Sequence, residues 1–225
     1  MAISATGVQS QPAKARLVLA DDHGLVVEGL RSLLTRNFDV VGVATNGRAL
    51  LSEVERLNPD VVLLDVSMPL LNGMEAARQI RARNPHVKLA FVTQKADRAY
   101  VQAALRIGAY GYILKQAAST EIEGALREIL SGHYYVTPAL RKGIPDALYD
   151  PTKNPSELFG NPLTPRQREV LQLIAEGKSN KEIATILNVS VKTVDFHKAA
   201  IMEELGLHST AELTRYALEH GIPCE

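Results

Sequence analysis

Val61-Val62-Leu63-Leu64-Asp65-Val66-Ser67 is the stretch on which the fold turns. Four apolar residues in succession read as a strand covered on both faces, because a strand with one wet face would alternate. The run stops at a carboxylate, Asp65. Four other runs have this character: Leu17-Val18-Leu19-Ala20 before Asp21-Asp22, Val40-Val41-Gly42-Val43, Leu89-Ala90-Phe91-Val92 before Thr93, and Tyr112-Ile113-Leu114 before Lys115. Between and after them, segments 24–36, 47–57, 73–83, 97–107 and 119–131 have helical spacing. In the last, Thr120 and Glu123 are placed as a capping box ahead of the stripe Ile122, Leu126, Ile129 and Leu130. Five β-then-α repeats predict an α/β doubly wound (βα)5 parallel sheet with helices on both faces, over residues 14–137.

The pattern stops after Thr137. Residues 138–162 hold five of the chain's 11 prolines and read as a linker, with a short helical turn expected around Asp146 to Tyr149. From 163 to 225 no strand pattern returns. Thr164 with Gln167, Ser179 with Glu182 and Ser209 with Glu212 have capping-box spacing, and Ser190 is placed to cap a helix from Val191. Four short helices are expected, near 165–176, 180–187, 191–204 and 210–219. Only Asn188-Val189-Ser190 separates the second from the third, which is a helix-turn-helix arrangement in a small all-α four-helix domain.

Composition narrows the classes. At 225 residues the chain is long enough for one or two domains. Its 46% hydrophobic and 22% charged residues are those of a globular protein rather than a collagen, a coiled coil or a low-complexity chain. A single cysteine, Cys224, excludes an intrachain disulfide and a cysteine-ligated metal site. No apolar run approaches the ~18 residues of a membrane span, and the small, polar first dozen residues do not read as a signal peptide. A soluble, cytoplasmic protein is expected. The 25 basic and 25 acidic side chains give no hint of nucleic acid, and residues 163–225 are slightly acidic, seven basic against nine acidic. Any DNA-binding claim must therefore rest on local placement.

Sites in open parallel sheets form beyond the carboxyl ends of the strands. Here those ends carry Asp21, Asp22, Asp65, Thr93 and Lys115. Three converging carboxylates repel one another unless a cation sits among them, and an all-oxygen set suits Mg2+. A hydroxyl and an ammonium beside them suit phosphoryl transfer, with Asp65 as nucleophile. Any one of these residues alone would read as a cap or a solvated charge; their coincidence at four strand ends carries the argument.

The segments Val18-Leu19-Ala20-Asp21-Asp22-His23, Asp65-Val66-Ser67-Met68-Pro69 to Asn72-Gly73, and Gly111-Tyr112-Ile113-Leu114-Lys115 resemble a response-regulator receiver domain, of flavodoxin-like fold. The resemblance implies that Asp65 is the phosphoacceptor. Asp21, Asp22, Asp65 and the Ser67 carbonyl would surround Mg2+, and Thr93 and Lys115 would grip the phosphoryl oxygens. Tyr112 matches the switch aromatic, which turns inward as the threonine moves. Gln94 departs from the small residue usual after that threonine and is expected to crowd the pocket. Lys95 and Asp97 read as solvated loop charges, and His23 and His86 as structural or exposed. Phosphatases of the haloacid-dehalogenase type need a second Asp two residues after the nucleophile, where this chain has Ser67.

Residues 163–220 resemble the LuxR-type helix-turn-helix domain, from Leu163-Thr164-Pro165-Arg166-Gln167-Arg168-Glu169-Val170-Leu171 through Val189-Ser190-Val191-Lys192-Thr193-Val194 to Leu205-Gly206. On a helix from Val191, the spacing turns Val194, Ile201 and Leu205 to the core. The resemblance implies that Asp195, Phe196 and Ala199 read base edges in the major groove. Lys178, Lys181, Lys192, Thr193 and Lys198 would touch phosphates. For Phe196, packing against a neighbouring helix is the equal alternative, and His197 reads as half-buried and structural. The last helix, with Leu213, Tyr216, Ala217 and Leu218, would be a dimer contact, since two-fold symmetry suits a palindromic operator.

Together the resemblances imply a transcription regulator of the LuxR/NarL/FixJ type. A sensor histidine kinase would phosphorylate it on Asp65, and the phosphorylated form would bind double-stranded DNA as a homodimer. They imply no separate substrate, so not an enzyme in that sense. Two alternatives are a regulator whose receiver only dimerises, without need of phosphate, and an aspartyl-phosphate hydrolase.

Overall fold

Every apolar run becomes a strand of one parallel sheet. The computed structural model describes residues 13–142, 144, 163–219 and 222. Its strands are β1 (Arg16–Ala20), β2 (Asp39–Ala44), β3 (Val61–Leu64), β4 (Lys88–Thr93), β5 (Gly111–Leu114) and a short β6 (Tyr135–Val136). They pair in parallel in the order β2-β1-β3-β4-β5-β6. Helices α1 (Gly24–Leu34), α2 (Gly47–Leu57), α3 (Gly73–Arg83), α4 (Arg98–Ile107) and α5 (Ala118–Leu130) alternate with them. The strand order reverses between β1 and β3. Chain direction therefore diverges where Asp21 and Asp65 leave the sheet.

Consecutive strand residues explain the unbroken apolar runs. Val62 and Leu64 face the layer made by α2, α3 and α4, while Val61 and Leu63 face the layer made by α1 and α5. All four are at most 1% exposed. β2 is the exception. It forms one edge of the sheet, so its run is only half-buried and Val43 is 38% exposed.

Two expectations need correction. α5 begins at Ala118 and its N-cap is Ala117, so Thr120 and Glu123 do not form the predicted capping box. Thr120 Oγ1 instead donates to the Ala117 carbonyl, and Glu123 accepts from Asn37 and pairs with Arg127. The start of the predicted linker, from residue 138, is packed rather than open. There α6 (Pro138–Arg141) follows β6, and Leu140 and Ile144 join the sheet core. Burial of two apolar side chains keeps the chain on the first domain to residue 144. The rest of the predicted linker, the turn at Asp146 to Tyr149, and Cys224 lie outside the described residues.

The second unit consists of α7 (Pro165–Ala175), α8 (Asn180–Leu187), α9 (Val191–Leu205) and α10 (Thr210–Glu219). Thr164 with Gln167, and Ser179 with Glu182, form reciprocal capping boxes. Ser190 accepts from the Thr193 N–H, and Ser209 from the Glu212 N–H. The Glu212 carboxylate reaches past Ser209 to the His208 N–H. Asn188 ends α8 in a left-handed conformation (φ 52°), which turns the chain into α9. Leu171, Ile183, Val194, Ile201 and Leu213 fill the common core. α7 also lies against α3 of the first unit.

Candidate functional site

Strand ends supply the pocket. Asp21 follows β1, Asp65 follows β3, Thr93 ends β4 and Lys115 follows β5. Asp21, Asp65 and Thr93 are all buried. Lys115 Nζ lies 2.7 Å from Asp21 Oδ2 and 2.7 Å from Asp65 Oδ2. Asp65 Oδ1 accepts from its neighbour's backbone, the Val66 N–H, at 2.6 Å. Burial by itself would lower the Lys115 pKa, but the hydrogen bonds and negative charge of Asp21 and Asp65 outweigh it and the net shift is upward. The lysine is thus held firmly as the ammonium.

Asp22 completes the acidic set, and the structure adds a residue to it. His23 Nδ1 is 3.1 Å from Asp21 Oδ1 and 3.0 Å from Asp22 Oδ1. One ligand atom from each of Asp21, Asp22, His23 and Asp65 lies within 4.8 Å of the others. His23 was expected to be structural or exposed, and its side chain is 59% exposed; what is new is its place beside the acids. Its adjacency to the Asp pair was the available signal, because an extended residue just past a strand end projects into the same crevice.

The donor set fits a hard divalent cation. Three carboxylates against one ammonium leave an excess of two negative charges. Among the described residues the Ser67 hydroxyl is buried without a hydrogen-bond partner, and Asp22 Oδ1 has only the His23 ring nitrogen beside it. Buried polar atoms left in that state are costly unless something binds them. Oxygen ligands with this charge suit Mg2+ better than a soft metal. Gly73 forms the tight floor, since a Cβ there would overlap the Asp65 carbonyl oxygen.

Tyr112 is fully buried and its hydroxyl donates to the Lys95 carbonyl at 2.8 Å. Burial, then the nearby Tyr100, Asp65 and Asp97, push its pKa far up, so it is a neutral donor. Lys95 N–H in turn donates to Thr93 Oγ1 at 3.3 Å. A chain of contacts therefore runs from Thr93 through the Lys95 backbone to Tyr112. Asp97 is not a mere solvated charge: it caps α4, accepting from the Ala99 N–H at 2.8 Å. Gln94 is exposed.

In the second unit Lys178, Lys181, Lys192, Asp195, Phe196 and Ala199 are exposed, while Thr193 and Lys198 are half-buried. Phe196 is 70% exposed, which removes packing on a neighbouring helix as its role. Three of the polar candidates are engaged within the domain, Thr193 Oγ1 lying 2.8 Å from Ser190 Oγ. Asp195 Oδ1 accepts from Asn180 Nδ2 at 2.6 Å, tying α9 to α8. Lys198 Nζ donates to Thr210 Oγ1 at 2.7 Å, tying α9 to α10. The expected dimer contact is smaller than its apolar content suggested. Leu213 and Ala217 are buried in their own domain's core and Tyr216 is half-buried, leaving Leu218, 59% exposed.

Comparison with known proteins divides the chain as the fold does. A family model for the response regulator receiver domain matches residues 17–127, and one for bacterial regulatory proteins of the luxR family matches residues 161–217. The chain is 36% identical to the transcriptional regulatory protein MctR of Rhizobium johnstonii over 211 residues, 93% of this chain and 95% of that one. It is similar to the RcsB response regulator of Salmonella typhimurium, solved in a study of its DNA interaction. That match has 28% identity and a TM-score of 0.55 over 90% of this chain and 97% of that one. A structure of two RcsB dimers bound to two parallel DNAs matches with 29% identity and a TM-score of 0.55, over 92% and 98%.

Proposed function

Because the chain belongs to the response regulators that join a receiver domain to a LuxR-type DNA-binding domain, we propose that it is switched by phosphorylation of Asp65. The receiver is taken as 14–137 extended to residue 144, and the DNA-binding domain as 163–225. The observation that carries this reading is Lys115 Nζ bridging Asp21 and Asp65 at 2.7 Å each, with Asp22 and His23 alongside. A sensor histidine kinase is the donor. Asp65 Oδ attacks phosphorus, an O–P bond forms as the P–N bond of the kinase phosphohistidine breaks, and the freed imidazole takes a proton from solvent. The phosphoryl group ends on the protein's own side chain, so no separate substrate is turned over.

Asp21, Asp22, Asp65 and the Ser67 carbonyl would hold Mg2+, which supplies charge neutralisation for the incoming phosphoryl oxygens. Lys115 then has a second anion to hold besides Asp21. Thr93 donates its hydroxyl to a phosphoryl oxygen, and the Lys95 backbone carries that movement to Tyr112. Two-state switching of this kind needs a differential contact in each state, and the hydroxyl bond supplies it.

The output is binding of a palindromic operator by a homodimer in the cytoplasm. Lys178, Lys181, Lys192 and Thr193 face phosphates, Phe196 and Ala199 face base edges, and Lys198, bonded to Thr210, contributes mainly to the placement of α9 on α10. Asp195, already bonded to Asn180, contributes mainly to α9 placement. The relative RcsB, seen as dimers on DNA, supports this reading. Asp65→Asn should abolish labelling by radioactive acetyl phosphate while circular dichroism stays that of the parent. Beryllofluoride should then change DNA affinity of the parent and not of the variant. Labelling that survives Asp65→Asn would defeat the proposal.

A further inference from the structure

Gln172 lies in α7 of the DNA-binding domain, yet its side chain also reaches partners in the receiver. It is 1% exposed. Its Oε1 accepts from Asn72 Nδ2 at 2.7 Å and from the Asn72 backbone N–H at 3.0 Å. Its Nε2 donates to Glu176 Oε1 at 2.6 Å and reaches the Met68 carbonyl at 3.5 Å. Met68 and Asn72 belong to the segment that runs from Asp65 through Ser67 into α3. One amide from the other domain thus touches the phosphoacceptor loop at two points.

The loop has little slack of its own. Asn72 Oδ1 accepts from the Glu75 N–H at 2.8 Å, which leaves Nδ2 for Gln172. Gly73 N–H donates to the Val66 carbonyl at 3.0 Å. The adjoining contacts are also polar, buried at Glu75 and half-buried at Arg168, Glu169 and Arg48. Arg168 Nε donates to Glu75 Oε2, and Arg168 Nη2 to Glu75 Oε1 at 3.3 Å, with Glu75 1% exposed. Glu169 accepts from Arg48 at 3.1 Å and from Gln79 at 3.3 Å. Buried polar sets tolerate few geometries, because a half-made set leaves unpaired groups. The docked α7 therefore holds the loop in one register. Phe196 and its neighbours on α9 remain exposed meanwhile, so this docking acts on loop geometry and does not cover that part of the reading helix.

We infer that Gln172 is a positioning residue for the phosphoacceptor loop, through which the DNA-binding domain sets the cation affinity of the receiver pocket. The inference rests on the phosphoacceptor reading above. It goes further in making the coupling reciprocal and in routing it through the β3–α3 loop, separately from the Thr93–Tyr112 contacts. Any ligand that moves Ser67 or Met68 changes the Gln172 contacts, and by linkage docking of Gln172 changes that ligand's affinity by the same factor as the ligand changes docking.

The test uses full-length protein and Mn2+ as probe, with free ion followed by electron paramagnetic resonance. Gln172→Ala should change the Mn2+ dissociation constant by at least about fivefold, the low end of coupling between sites. A residue that only stabilises its own domain would not move the affinity of a pocket in the other. In an Asn72→Ser background, which keeps a capping oxygen and drops the Nδ2 donor, the effect of Gln172→Ala should fall by at least half. Should Gln172→Ala not fold, Gln172→Met serves in its place. A smaller shift, or one undiminished in the Asn72→Ser background, overturns the inference. Absence of Mn2+ binding by the unaltered chain, together with absence of acetyl phosphate labelling, defeats the phosphoacceptor reading instead.

Discussion

Leu70, in the loop after the phosphoacceptor, has φ 67°, a left-handed conformation that costs a residue with a Cβ roughly 1–2 kcal/mol. Leu70→Ala and Leu70→Gly remove nearly the same contacts, but only glycine removes the strain. Elsewhere glycine is the less stable of the two because its unfolded chain is freer. Here the order should reverse, with Leu70→Gly more stable than Leu70→Ala by about 1 kcal/mol in urea unfolding. Tyr112 gives a pH prediction. Burial raises its pKa from the ordinary 10.0, so the unfolded chain releases this proton first. Stability from the buried neutral phenol is present below pH 10 and is lost as pH rises above it. Tyr112→Phe should make the alkaline decline shallower by up to about 1.4 kcal/mol per pH unit, the slope of one proton. Tyr135, pushed up to about 12 by burial and its bond to Glu121, keeps some of the decline in place. At this scale the acids were legible because each ends an apolar run. His23 and Asp97 were not, since their roles depend on which way a loop turns.

At the scale of elements, reciprocal capping is the most testable local feature. Ser179 accepts from the Glu182 N–H, and Glu182 returns the bond to the Ser179 N–H at 2.8 Å. Because α8 is only eight residues long, its first turn is a large share of it. Ser179→Ala should cost about 1 kcal/mol of stability, read from the urea midpoint, and Ser179→Asp much less. The boxes at 164 and 179 were readable because cap and partner stand three residues apart with an apolar stripe behind them. The box expected at Thr120 had the same spacing, but the buried Ala118 brings the helix start forward to Ala117. β6 was missed for another reason. Two residues carry no periodicity, and Tyr135–Val136 becomes a strand only because β5 offers it an unpaired edge. Likewise the apolar run of β2 did not reveal that it lies at the rim, since edge position is set by strand order and strand order by long-range pairing.

Across the whole molecule, charge balance obscured the DNA-binding surface in the sequence and constrains it in the structure. A domain with seven basic and nine acidic side chains binds DNA only if its few cations are placed together. Lys178, Lys181 and Lys192 are exposed, whereas Lys198 is committed to Thr210. These three exposed lysines in each of two copies would neutralise about six phosphates, for a slope of log affinity on log salt of about −5. Lys192→Ala, lost from both copies, should reduce the slope by about 2 and weaken binding to every sequence alike. Phe196→Ala should behave oppositely. It removes an uncharged, 70% exposed ring, so the slope should hold while discrimination among operators selected from random duplexes narrows. Measuring both variants over a salt series separates the electrostatic share of binding from the reading share. Equal loss of slope in the two would show that Phe196 acts by placing α9 and its lysines, and would move base reading to Ala199 and its neighbours.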